Sequence, residues 1–382
     1  MFSYNDLSSF YEKDDPFLMN HPNPVIRGRG ANSNPANRFE KIEIIPDPDL
    51  FEEELHSPVT HYYRDKTKSI IAFNDSPDIS FDASINPYRG CEHGCIYCYA
   101  RPTHEYFGLS AGLDFETKIF VKEQAPELLR KELSSKRWKP QVLALSGVTD
   151  CYQPIERVLR LTRGCLDVLA EFRNPCFIVT KNQLVTRDID ILQEKARYHG
   201  VGVFISLSSL RDDLVESLEP RTTRPERRLK TIQELSAAGV PVGVMVAPVI
   251  PGLNDHEIPS VLEAAAVAGA RYANYILLRL PYVLKDIFIA YIERHFPTHK
   301  QKIIHRIQHI RGGKLNVSEF GERFRGTGIF AEQIKKMFEC TARKVGLEKR
   351  GPDLHTDHFR IPHRQELLLW DETPDAQEVE RD

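Results

Sequence analysis

The chain has 382 residues, a formal net charge of −3 at pH 7 and 41% hydrophobic residues. That is enough apolar material for one domain of roughly 200–250 residues with attachments, or for two smaller domains. The charge balance excludes an overall polycation that grips nucleic acid without specificity, and no stretch reaches the roughly 20 apolar residues of a membrane span. The N-terminal text MFSYNDLSSFYEKDDPFLMN has acids early and no apolar run, so no secretory signal is expected. Seven cysteines, an odd and clustered set, argue against a disulfide framework and for a reducing, cytoplasmic setting.

Residues 1–80 read as an N-terminal arm and lead-in. Pro24, Gly28, Gly30 and Pro35 punctuate the arm too often for a helix or strand, beside Arg27, Arg29 and Arg38. A surface arm wrapped on the core is expected; the alternative is a segment that covers a ligand or offers backbone N–H groups to phosphate. Residues 81–285 change pattern, with short apolar runs alternating with amphipathic stretches. The strand candidates are FDASI, QVLALSG (141–147), CFIVTK (176–181), VGVFISLSS (201–209), VPVGVMVAPVI (240–250) and YILLRL (275–280). Between them KEQAPELLRKELSS, VLRLTRGCLDVLAEF, RDIDILQEKARY, PERRLKTIQELSAAG and HEIPSVLEAAAVAGA read as helices, the fourth stopping at Gly239. Six strand–helix alternations predict an α/β fold of parallel strands covered by helices. Right-handed crossovers can close such strands into a barrel or lay them out as an open sheet; either way ligands sit at the carboxyl ends of the strands. Residues 286–350 read as a helical C-terminal extension, locally basic in KQKIIHRIQHIRGGKLN. Residues 351–382 read as a tail whose acidic end is expected to be disordered.

The densest chemistry lies in NPYRGCEHGCIYCYARPTH, which puts Cys91, Cys95 and Cys98 in one short loop. Structural zinc wants four ligands, with His93 or His104 as the fourth here, and a zinc-stabilised nucleic-acid-binding module without catalysis is the non-enzymatic alternative. A full four-cysteine cluster set is missing locally, since Cys151, Cys165, Cys176 and Cys340 stand apart from one another. An incomplete site accounts for the pattern better. Three thiolates hold three irons of a [4Fe–4S] cube, and the fourth iron is open to the amine and carboxylate of an amino-acid-like ligand.

The spacing Cys91-x3-Cys95-x2-Cys98, with Tyr97 before the last cysteine and a strand before the loop, resembles the radical S-adenosylmethionine (SAM) enzymes. The wider text, with SGVTDCYQP, LEPRT and PVIPGLNDHE, resembles the bacterial subgroup related to spore photoproduct lyase, the DNA-repair-photolyase-like proteins. The resemblance spans about residues 24–345. It implies a partial (β/α)6 barrel with an N-terminal arm and a helical C-terminal extension, and as cofactors one [4Fe–4S] cluster and SAM. It also implies an electron donor such as flavodoxin or ferredoxin. One-electron cleavage of SAM then gives methionine and a 5′-deoxyadenosyl radical that abstracts hydrogen from substrate. A nucleic-acid base, to be repaired or modified, is one substrate class the resemblance admits. Such a base must leave its stack to meet a buried radical, and basic text at 27–38 and 295–314 offers phosphate contacts. Peptide or small-metabolite modification is the alternative. Neither a membrane nor a particular oligomeric state is implied.

Carried over residue by residue, the resemblance places Tyr97 near adenine, and Ser146, Gly147, Thr149 and Asp150 near the methionine amino group. It sets Ser206 and Ser208 near the ribose, Arg221 on the carboxylate, and Asn254 on adenine or ribose. Each has a plainer reading: Tyr97 as core packing, the 146–150 segment as a turn or helix cap, Arg221 as a surface charge, Asn254 as part of a Pro-Gly turn. Lys181, Asn182 and Arg279, at strand ends, are candidates for substrate contact. Cys151 is a candidate hydrogen-atom donor, although it lies on the other side of Asp150 from where the lyase keeps its cysteine. Buried filler is the ordinary fate of a free cysteine.

Overall fold

The computed structural model describes residues 26–40 and 58–362. The expectations for the rest of the arm and for the acidic end of the tail lie outside those residues. The described strands are β1 (His61–Arg64), β2 (Ile71–Phe73), β3 (Ala83–Ile85), β4 (Tyr88–Arg89), β5 (Lys118–Val121), β6 (Leu143–Leu145), β7 (Cys176–Thr180), β8 (Val201–Ser206), β9 (Val242–Val249) and β10 (Tyr272–Leu277). Seven of them form one sheet in the order β10-β9-β8-β7-β6-β3-β2. Every pair is parallel except β2–β3, where a short antiparallel strand covers the edge. Each parallel strand sits beside its predecessor, the order that successive right-handed crossovers produce. Since β3 pairs with β2 and not with β10, the six parallel strands make a partial barrel.

The apolar runs form strands because both faces are covered. All six residues of β8 are buried, as parallel strands under helices require. The helix Pro225–Ala237 buries Ile232 and Leu235 against the sheet, each worth roughly 1.5–3 kcal/mol when fully removed from water. Its chain turns at Gly239, where φ is +74°, a conformation that costs glycine no Cβ clash. Leu166, Leu169 and Cys165 of Leu161–Glu171 join the same core.

Five of the six parallel strands are shorter than the sequence reading and the last is shifted, and in two of them the change moves a candidate site residue. The fourth strand ends at Ser206, so Ser208 lies in the turn after it. The sixth runs Tyr272–Leu277 instead of 275–280, placing Arg279 beyond its end. The alternation of Tyr272 to Tyr275 with Gly243 to Val246 sets the register, which then slips before Leu277 pairs with Val249. Polar Asn274 inside the run hid its beginning.

A small sheet, β1-β5-β4, carries the cysteine loop on its rim: the chain leaves β4 at Arg89 and enters the loop at Gly90. In the C-terminal extension Leu284–His295, Lys300–His309 and Gly328–Lys344 are helical. The described part of the tail packs at the opposite end of the sheet. His355 N–H donates to the His199 carbonyl and Arg360 N–H to that of Phe172. That covers the amino ends of the strands and leaves the carboxyl ends to the cysteine loop.

Candidate active site at the cysteine loop

The loop is held by buried charge. The Arg101 guanidinium donates to the carbonyls of Gly94, Cys95, Ala111 and Gly112 and to the Glu116 carboxylate, with both side chains fully buried. Glu116 also accepts from the backbone N–H groups of Gly30 and Ala31. The arm therefore closes over the loop, and a Cβ on Gly30 would collide with the Gly94 carbonyl. Ile96 N–H donates to the Leu218 carbonyl, tying the loop to the end of the helix Asp212–Leu218 that follows β8.

All seven cysteines are free thiols. Cys91, Cys95 and Cys98 lie close enough to affect one another's charge. Burial pushes each thiol up; Cys95 and Cys98 push Cys91 further, whereas Lys181 pulls Cys95 and Cys98 down. After burial, the Asp150 charge is what pushes Cys91 up most, and a hydrogen bond with the Asp150 backbone offsets it only in part.

Around them stand groups from the strand ends. Lys181, after β7, donates to the Ser206 hydroxyl at 3.1 Å and lies 5.8 Å from the Tyr97 ring centroid. Ser206 donates in turn to the Ala247 carbonyl. Tyr97 and Ser208 both donate to Glu219 Oε1, while Arg228 donates to Oε2. Burial alone would raise the Glu219 carboxyl. Arg228 and Lys181, with the Tyr97 and Ser208 hydroxyls, outweigh it and hold the group at about 2. Asp150 accepts from Thr180 Oγ1 and from the N–H groups of Lys181 and Tyr152, and lies 3.4 Å from His93 Nδ1. It too is held at about 2 against burial, chiefly by His93.

The segment after β6 is strained. Ser146 has φ of 77°, outside the ordinary range for a residue with a side chain. Its hydroxyl accepts from Cys151 N–H, and Asn86 Oδ1 accepts from the N–H groups of Val148 and Thr149. The Thr149 hydroxyl donates to the Tyr88 carbonyl. The Gly147 carbonyl accepts from Tyr99 at 2.6 Å.

The structure thus brings Tyr97, Asp150, Lys181, Ser206 and Ser208 toward the three thiols. Arg221 instead braces the loop: its side chain faces Glu92 at 3.4 Å and Thr60 at 3.5 Å, and its backbone N–H donates to the His93 carbonyl. The buried guanidinium of that stretch is Arg228. Asn182 caps the turn it starts, accepting from Leu184 N–H, and its amide donates to His93 Nε2. Asn254 uses both amide hydrogens on the carbonyls of Ser208 and Pro248 and its oxygen on Ile250 N–H, pinning the turn after β9. Cys151 lies in the main core with no exposure. Glu156 is fully buried and accepts from Tyr88, Thr162 and Arg187. Arg101, Glu116 and the Glu219–Arg228 pairing were not singled out by sequence reasoning. A cleft of about 590 Å³ lies elsewhere, between the turn after β9 and the C-terminal helices, lined by Phe296, Lys302 and Arg306 among others.

The family model described as Radical SAM superfamily matches residues 85–265, a span that begins at the end of β3 and contains the cysteine loop. The chain belongs to the radical SAM superfamily. It is 36% identical over 231 residues to Uncharacterized protein Rv2578c of Mycobacterium tuberculosis, 59% of this chain and 68% of that one. It is 24% identical over 247 residues to the Radical SAM Nalpha-GlyT isomerase of Pseudomonas phage M6, 64% of this chain and 49% of that one. Among solved structures it shares its fold with a spore photoproduct lyase mutant with bound AdoMet and dinucleoside spore photoproduct. The TM-score is 0.53 at 17% identity, covering 81% of this chain and 87% of that one.

Proposed function

We propose that the chain is a radical SAM enzyme. It holds one [4Fe–4S] cluster on Cys91, Cys95 and Cys98, binds SAM beside it, and acts on a nucleic-acid base. The observation that carries the reading is a single loop presenting three free, mutually close thiols toward Lys181, Ser206 and Asp150 at the strand ends. Among the described residues no three His, Cys, Asp or Glu side chains converge on one metal ion. A cube asks for less, since each thiolate meets its own iron, and the donor set fits it. When bound, the cluster and SAM supply one-electron cleavage of a carbon–sulfur bond and a radical able to abstract hydrogen.

The chain's own groups have definable work. Burial keeps the free thiols protonated, so metal takes the place of protons there. Lys181 is a cation with donors to spare beyond Ser206, suited to an anionic or hydroxyl-bearing part of SAM. Asp150, held ionised, orients His93 and the start of the turn after β7. Ser146, Gly147 and Thr149 shape the backbone under the site. Arg221 and Asn254 act through the loops they pin. A flavodoxin- or ferredoxin-type donor in a reducing cytoplasm would deliver the electron. The dinucleoside in the spore photoproduct lyase structure supports a base as substrate.

The test is anaerobic. Protein reconstituted with iron and sulfide should hold about four irons per chain and, with dithionite and SAM, release 5′-deoxyadenosine. Cys95→Ala should abolish both. A colourless protein that binds zinc and leaves SAM intact would defeat the proposal.

A further inference from the structure

Beyond the end of β10, Arg279 lies against the face of Phe324, 4.8 Å from its centroid, and 5.8 Å from that of Tyr99. Tyr99 follows Cys98 directly, so this guanidinium stands at the mouth of the cysteine site. Its Nε is buried and has no hydrogen-bond partner. Its neighbour Arg311 is 2% exposed; it gives its two terminal nitrogens to the carbonyls of Glu322 and Leu278 and leaves its own Nε without a partner. Arg323 also repels Arg279. Asp78, the carboxylate that acts on Arg279, is already held by Arg323 and by Gly321 N–H, and Glu322 acts on Arg311. Arg279, half-buried, and Arg311, buried, repel one another and each keeps an Nε–H without a partner, an arrangement that is costly unless an anion completes it.

We infer that Arg279 receives a phosphate oxygen of the substrate, a phosphodiester of a nucleic-acid strand whose base enters toward the cysteine loop. This rests on the radical SAM reading above and narrows its substrate. A phosphodiester fits better than a carboxylate because aromatic faces interleave the cations. Tyr99 is 48% and Phe320 59% exposed, and Arg323 lies 4.7 Å over the Phe320 ring. Stacking platforms beside arginines are what single-stranded nucleic acid binds, and a guanidinium fork matches phosphate oxygens.

The experiment compares charged and neutral probes on the full-length, reconstituted protein. One pair is a thymidine dinucleotide with a phosphodiester linkage and the same dinucleotide with an uncharged methylphosphonate linkage. The other is thymidine 5′-monophosphate and thymidine. Wild type should prefer the charged member by about tenfold or more, and the salt dependence of its binding should weaken by about one charge in Arg279→Gln. Arg279→Gln should lose the preference and Arg279→Lys should keep part of it; a ratio measured within one protein is insensitive to a general loss of fold. Preference confined to the dinucleotide pair assigns the phosphate to a strand. Preference confined to the mononucleotide pair assigns it to a small phosphorylated metabolite and overturns the strand. Equal binding of charged and neutral probes, or an unchanged ratio in Arg279→Gln, overturns the site itself. Release of 5′-deoxyadenosine by wild type without probe is measured in parallel. If it occurs while the preference is absent, the radical SAM reading stands and this inference alone falls.

Discussion

Arg101 and Glu116 form an ion pair from which water is excluded on all sides, and between them they hold the Gly94 and Cys95 carbonyls of the cysteine loop and the Gly30 and Ala31 N–H groups of the arm. The pair is long-range in what it joins and short in sequence, fifteen residues apart. Buried pairs contribute little net stability compared with apolar packing, but removing one member strands the other charge. Arg101→Ala should therefore cost about 3–5 kcal/mol in urea unfolding, and iron retention should fall with it. A loss below about 1 kcal/mol would mean that Glu116 finds other partners.

The arm makes a sharper demand at Gly30. Its Cα sits so close to the Gly94 carbonyl that no side chain fits. Gly30→Ala must push the arm off the loop, freeing Glu116 from two N–H donors. We expect limited proteolysis to cleave residues 26–40 faster in this variant while the barrel stays folded. Equal cleavage rates in variant and wild type would show that the arm does not depend on that approach.

Much of this site was readable in the chain and part was not. The three-and-two cysteine spacing and the six apolar runs are local signals, and they place the loop and the carboxyl ends of the strands together. Lys181 and Ser206 meet because each ends a strand, and β7 and β8 are neighbours. The choice between Arg221 and Arg228 was different. Both stand in one arginine-rich stretch, and composition cannot tell which faces inward. Arg221 belongs to the turn that braces the cysteine loop. Arg228 occupies the first turn of the helix Pro225–Ala237, rotated toward Glu219 and the Ser206 carbonyl. Asn254 was placed in the right turn, yet its amide is engaged by backbone groups that only the folded turn brings near.

Acid should unfold the protein through Glu219. Its folded carboxyl lies near 2 against an ordinary 4.5, so it favours folding fully above about pH 4.5. That contribution is lost as pH falls toward 2, when the unfolded chain takes up the proton first. The span corresponds to something on the order of 3 kcal/mol. His104 adds an earlier step: burial lowers its ring to about 4 from 6.5, so stability begins to fall below pH 6.5 as the unfolded chain protonates. Denaturation at a series of pH values should show both, and Glu219→Gln should flatten the steeper acid limb between pH 4.5 and 2. An unchanged limb in that variant would assign acid sensitivity to other carboxylates.

Lys181 sets the charge that Cys95 and Cys98 experience, lowering the proton affinity of both thiols. A cation that stabilises thiolate also stabilises the extra electron of a reduced cluster held there, since both are added negative charge. Lys181→Met should leave the three cysteines able to bind iron, because the loop is held by Arg101, Glu116 and the Leu218 carbonyl and not by this lysine. The cluster potential, however, should become more negative. A partly screened charge at this range contributes roughly 1 kcal/mol, about 40 mV for one electron. The Ser206 hydroxyl would lose its ammonium partner but keep the Ala247 carbonyl, so no buried donor is left unpaired; Glu219 keeps Arg228 but loses its second cation, a cost on the order of 1 kcal/mol. Spectroscopic redox titration of the reconstituted variant measures the shift without any turnover. A potential equal to that of wild type, with full iron content, would place Lys181 too far from the cluster to act on its charge.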